Sequence, residues 1–107
     1  MLDELILKVG VATDPAAFAG AIYKNIKEGK RVSARAFGAS ANYTMCKGIA
    51  IAQDFFRQHG EELFCQISTR REINVRKDDG EERDIRSFTA HFYVIDGKHT
   101  ASVFGTN

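Results

Sequence analysis

Two long alternating stretches joined across an Asp-Asp-Gly turn constrain this chain more than any other feature. Leu63 to Val75 and Arg83 to Ile95 both have strand character, and Asp78-Asp79-Gly80 between them is a hairpin turn signal. Each run is well beyond the roughly five or six residues of an ordinary globular strand. The near end of the hairpin (Leu63, Cys65, Ile67, Phe88 and Phe92) is apolar enough to pack on helices. The far end, Thr69 to Ser87, is mostly charged, with Ile73, Val75 and Ile85 as exceptions. A two-stranded ribbon forms no core by itself. The outer half is therefore expected to project, to pair with a partner chain or to lie on a ligand. Eight residues of strand reach about 26 Å, enough to follow a nucleic-acid groove.

The remaining chain supplies what the near end must pack against. Leu5 to Val11 reads as a strand, with Leu5, Leu7, Val9 and Val11 on one face. Thr13 or Asp14 can cap a helix, and Pro15 suits its first position because the missing N–H has no helical partner there. That helix is predicted from about Ala16 to Glu28, with Phe18, Ala21, Ile22, Asn25 and Ile26 on one stripe and Gly29 as its stop. Arg31 to Phe37 is a second strand, in which Val32, Ala34 and Ala36 alternate with Ser33, Arg35 and Phe37. Gly38-Ala39-Ser40 forms a small-residue turn. A second helix is predicted from about Ala41 to Gln58, its stripe Ala41, Met45, Ile49, Ala52 and Phe56 with Gly48 and Phe55 alongside. Asp96-Gly97 marks another turn, and His99 to Phe104 has the pattern of a short fifth strand. The order is β-α-β-α-β-β, an α+β chain.

At 107 residues, one domain is expected, with its core at about residues 5–95 and a C-terminal extension at 96–107. No apolar run approaches the roughly 20 residues of a membrane helix. The acidic start Met1-Leu2-Asp3-Glu4 lacks the basic region of a signal peptide, so a cytoplasmic address is expected. Fifteen Lys and Arg face 14 Asp and Glu, a formal net charge of +1, so any polyanion binding must come from local clustering. Cys46 and Cys65 form no Cys-x-x-Cys motif and are expected to be reduced, buried, small apolar residues.

Leu7-Lys8-Val9, Asp14-Pro15 and Ala19-Gly20-Ala21 open the chain in a way that resembles the stage V sporulation protein S family. Ala34-Arg35-Ala36-Phe37-Gly38-Ala39, followed by Lys47-Gly48-Ile49-Ala50-Ile51-Ala52, resembles that family's second strand, glycine turn and second helix. Gly80-Glu81-Glu82-Arg83 resembles its hairpin tip. The resemblance runs from about Leu5 to Val94. That family is similar in turn to Alba, a chromatin and RNA-binding family. The resemblance implies an Alba-like two-layer sandwich, with a four-stranded mixed sheet backed by two helices and a long β-hairpin arm. It also implies a homodimer that binds DNA or RNA through loops and arms, and a link to the regulation of spore development. Where Alba proteins carry a lysine pair before the first helix, this chain has Thr13-Asp14. Where they carry arginines around the glycine turn, it has Phe37 and Ala39, with Arg35 nearby.

Three groups are candidates for contact. Lys24, Lys27, Lys30, Arg31 and Arg35 stand against one acid, Glu28, and read either as a phosphate-binding surface or as a solvated helix face. The hairpin carries Arg70, Arg71, Arg76, Lys77, Arg83 and Arg86, balanced by Glu72, Asp78, Asp79, Glu81, Glu82 and Asp84. This reads either as a contact arm or as a charged ribbon protecting its own edges. Ser40, Asn42, Tyr43 and Lys47 lie at the glycine turn, where backbone N–H groups favour anions and Tyr43 could stack on a base; simple helix capping is the competing reading. His59, His91 and His99 lack metal-ligand spacing, and the paired acids lie on an exposed turn, so no catalysis and no cofactor is expected. Phe64, Tyr93 and Ile95 would make the exposed sheet face sticky. The favoured reading is a non-enzymatic nucleic-acid-binding dimer that uses Arg35, Asn42, Tyr43, Lys47 and the six hairpin cations. The alternative is an assembly module of the same fold without nucleic-acid binding, and both readings leave higher assembly open.

Overall fold

The computed structural model describes residues 4–75, 80 and 82–96, with the side chains at 74, 75, 82, 83 and 96 excepted. Six elements follow in the expected order: β1 (Glu4–Val9), α1 (Pro15–Lys27), β2 (Arg31–Phe37), α2 (Ala39–Arg57), β3 (Glu61–Val75) and β4 (Glu82–Asp96). They form one four-stranded mixed sheet in the order β1-β2-β4-β3. β1 runs parallel to β2 across the α1 crossover, in the register Leu7↔Ala34. β4 lies antiparallel to both β2 (Ala34↔Ala90) and β3 (Cys65↔Phe92). The predicted strand at His99 to Phe104, the turn at Asp78-Asp79 and the extension lie outside the described residues. Gly80 of that turn has φ 70°.

Both helices cover one face of the sheet. β2 meets them with Val32, Ala34 and Ala36, all buried, and β4 with Ala90 and Phe92. The small side chains of β2 let the helices lie close to the strands. α2 presents the predicted stripe Ala41, Met45, Ile49, Ala52 and Phe56, every member buried. α1 contributes Phe18, Ala19 and Ile22. The two helices touch at Gly48, where a Cβ would overlap the ring of Phe18. Tyr23 closes the far end, its ring 4.8 Å from that of Phe56.

Local chemistry sets the ends of these elements. Asp14 caps α1, its Oδ1 accepting the Ala16 N–H at 3.2 Å. Asp14→Ala should cost about 1 kcal/mol, within the roughly 0.5–2 kcal/mol span for such caps; a thermal melt alongside the parent checks this. α2 starts two residues earlier than predicted. Gly38 occupies its N-cap at φ 86°, a left-handed value that favours glycine, and no side chain caps the helix. The capping reading of Ser40 is thereby corrected: Ser40 lies in the first turn of α2. At the other end Arg57 grips Glu62 at 2.5 and 2.9 Å, joining α2 to β3. That hydrogen bond holds the Glu62 carboxyl below its usual pKa. The contribution of this pair is present at neutral pH and is lost as pH falls through the lowered value.

Four residues are less buried than expected. Val11 is 69% exposed because β1 ends at Val9, where a turn bonds Thr13 N–H to the Gly10 carbonyl and Gly10 N–H to Thr13 Oγ1. Ile67 has the helix-facing parity of Leu63 but remains 42% exposed. Cys46 is an exposed free thiol rather than a buried one, and Cys65 is half-buried, its pKa raised by burial with a smaller contribution from Cys46.

Candidate nucleic-acid interface

The pairing of β2 with β4 ends at Phe37↔Ser87, whereas β3 and β4 stay paired out to Val75↔Glu82. Beyond Ser87 the sheet is thus reduced to a two-stranded ribbon of five further pairs, starting at Arg71↔Arg86. This is the projecting arm that the hairpin pattern predicts. The molecule is elongated, 55 × 28 × 28 Å.

The arm is tied to the glycine corner at its root. Gly38 N–H donates to the Arg86 carbonyl at 2.8 Å, and a Cβ at Gly38 would lie in ordinary contact with the Ile85 side chain, 3.8 Å away. One helical turn further, Asn42 N–H donates to the Gly38 carbonyl at 3.0 Å. Tyr43 is 67% exposed, and Lys47, one turn on, holds its Nζ 5.4 Å from the Tyr43 ring centroid. Tyr43 and Lys47 therefore present an aromatic plane and an ammonium side by side. Asn42 is half-buried next to them.

Strand parity sorts the hairpin cations onto two faces. Arg71 and Arg86 oppose one another on the ribbon face continuous with the helix-facing Phe88 and Ala90. Arg71 donates to Asp84 Oδ2 at 2.7 Å, which raises its pKa. Arg70 has the opposite parity and shares the open face with Arg35. Arg83 lies in β4, and Arg76 and Lys77 lie outside the described residues. The sheet thus divides the residues read as one site into a corner-and-arm group (Asn42, Tyr43, Lys47, Arg71, Arg86) and an open-face pair (Arg35, Arg70).

The basic group around the first helix does not form a single surface. Lys27 pairs with Glu61, Lys30 with Glu28 at 3.9 Å and Arg31 with Glu4 at 3.5 Å. Arg35 bonds Glu72 on β3 at 2.6 Å, with Phe37 under its guanidinium at 4.9 Å. Apart from Lys30 with Glu28, these pairs bring together residues far apart in the chain, which no spacing rule reports. His91 sits on the open sheet face with Thr89 and Tyr93, the surface position expected for it. Among the described residues, no cluster of three His, Cys, Asp or Glu could hold a metal, and no helix is long and apolar enough to cross a membrane.

The fold is similar to that of Alba from Thermoplasma volcanium. The TM-score is 0.66 at 12% identity, over 82% of this chain and 98% of that one. The sequence profile of stage V sporulation protein S matches residues 5–87, from β1 through the root of the returning arm strand. The match takes in both helices, the glycine corner and most of the hairpin, and on that ground the chain belongs to the stage V sporulation protein S family.

Proposed function

We propose that this protein is a non-enzymatic, cytoplasmic nucleic-acid-binding regulator, one domain per chain, that acts as a homodimer in a sporulation-linked role. The observation that carries the reading is the Gly38–Arg86 hydrogen bond, which sets Tyr43 and Lys47 at the root of a projecting charged arm. Lys47, Arg71 and Arg86, with the further hairpin cations Arg76, Lys77 and Arg83 of the sequence, neutralise phosphates. Tyr43 stacks on an unpaired base, and Asn42 supports the corner. Contacts of this kind are tolerant of sequence and sensitive to salt. Family membership and the Alba-like fold support the reading.

Fluorescence polarisation with labelled single-stranded DNA, duplex DNA and RNA at low salt tests it. Micromolar binding that weakens with salt is expected; no binding to any of the three at tens of micromolar protein overturns it. Tyr43→Ala should weaken single-strand binding by about 5- to 150-fold, the equivalent of about 1–3 kcal/mol of stacking. Lys47→Gln should lower the slope of log K against log salt by about 0.7–0.9, the signature of one lost phosphate contact.

A second reading, assembly without nucleic acid, is favoured by the ion pairs that occupy Arg35, Arg71 and Lys27 and by the exposed Ile67 and Ile73 on the edge strand β3. Light scattering on nuclease-treated protein separates the two: dimers are expected under both, but only this second reading predicts assemblies indifferent to added oligonucleotide.

A further inference from the structure

We propose that the open face of the sheet carries a binding site for a phosphate monoester, formed by Arg35 and Arg70 with Ser68, Ser87, Thr89 and His91. The site is separate from the corner-and-arm surface and does not depend on nucleic-acid binding there.

The register assembles it. Arg35 on β2, Thr89 on β4 and Ser68 on β3 form one row across three strands, and Ser87 with Arg70 forms the next row toward the arm. His91 pairs with Gln66 in the row on the other side. All point away from the helices. They line a depression of about 290 Å³. Ligand pockets usually run from about 300 to 1,000 Å³, so this one suits a single compact group rather than a large molecule. Its walls offer two guanidinium groups, hydroxyls and an imidazole, a set rich in donors, with Glu72 beside it on Arg35. A tetrahedral oxyanion carrying two charges matches that set, because each planar guanidinium can take two of its oxygens.

Arg35 is already held in place for this task. Glu72 accepts from Nη2 at 2.6 Å, and the ring of Phe37 supports the guanidinium. A single carboxylate contact leaves the rest of the fork uncommitted. Nε is buried and has no hydrogen-bond partner among the described residues. Buried donors are almost always satisfied, so an unpaired Nε shows that Glu72 alone does not use up the hydrogen-bonding capacity of this guanidinium. The side chain as a whole keeps 37% exposure, so a ligand in the depression reaches the outer part of the guanidinium rather than Nε. Arg70 has no acidic partner among the described residues, and its charge is not cancelled as that of Arg35 is. Its backbone carbonyl accepts from Ser87 Oγ at 3.4 Å, which places that hydroxyl between the two cations' strands.

Glu72 also explains why the ligand is a terminal phosphate and not a strand. It stands at the arm side of Arg35, so a polyanion continuing outward along the ribbon meets a carboxylate. A monoester ends at the pocket and does not run on past that carboxylate.

The test is titration of the full-length protein, followed by amide chemical shifts, with inorganic phosphate, adenosine 5′-monophosphate, adenosine, and a single-stranded oligonucleotide lacking terminal phosphates. Phosphate and the monophosphate should shift the amides of Arg35, Ser68, Arg70 and Thr89, and adenosine should not. Arg70→Gln, an exposed position outside the core, should weaken monophosphate binding by roughly tenfold or more. Arg70→Lys should restore part of the affinity, and Tyr43→Ala should leave it unchanged. No shift of these amides at tens of millimolar phosphate, shifts confined to the start of α2, or a response to the oligonucleotide but not to phosphate each overturns the proposal. Loss of oligonucleotide binding in Tyr43→Ala with the phosphate response intact would show the two surfaces to be independent.

Discussion

Replacing Phe56 by alanine should lower the free energy of unfolding by about 3–5 kcal/mol, the usual cost of emptying a buried aromatic site. Phe56 is fully enclosed near the end of α2. Tyr23 of α1 packs on it at 4.8 Å with a 56° tilt, and Lys27 lies over its ring at 5.7 Å. The ring therefore joins the last turns of both helices, and neither helix can collapse into the space alone. Against a total stability of roughly 5–15 kcal/mol for an ordinary domain, the loss is severe. Urea denaturation measures it as a fall in midpoint at unchanged slope. A loss below about 1 kcal/mol would mean that the two helices do not meet at this ring.

Gly48→Ala should also destabilise, by about 1–3 kcal/mol, although alanine is the better helix former by roughly 1 kcal/mol. The added methyl would overlap Phe18 Cδ2 while lying 3.0 Å from Cε2 and 3.1 Å from the Pro15 carbonyl oxygen. Phe18 is buried, and Pro15 opens α1, so the contact is relieved only by moving one helix off the other. Combining Gly48→Ala with Phe18→Leu separates this cause from others, because the pair should lose less than the sum of the single changes. A rise in melting temperature for Gly48→Ala alone would show that the helices are further apart than described.

Much of this architecture is legible in the residues. The stripe from Ala41 to Phe56 repeats at helical spacing and is buried throughout, and the alternation in Arg31–Phe37 places Val32, Ala34 and Ala36 in the core. The projecting arm follows from a ribbon whose apolar side chains give way to charge. What local patterns miss is decided by neighbours. Ala19 is buried in place of Ala21, which is half-buried, because α1 turns toward α2 rather than squarely onto the sheet. Arg35 meets Glu72, and Lys27 meets Glu61, only because α2 carries the chain past β4's place to the sheet edge. For the same reason the hairpin cations read as one group, whereas strand parity divides them. Arg35 and Arg70 come together with His91 only once β4 lies between β2 and β3, an order that no motif announces.

The alanines of β2 make the two sides of the sheet unequal in what they tolerate. Beneath the helices, a larger residue at Ala34 or Ala36 has nowhere to go, so that layer is nearly frozen to substitution. Among the described residues no helix covers the opposite layer, and its exposed positions accept new side chains with little structural penalty. Ligand preference in such a scaffold can drift by changes on a single surface, while the buried layer preserves the shape that presents it.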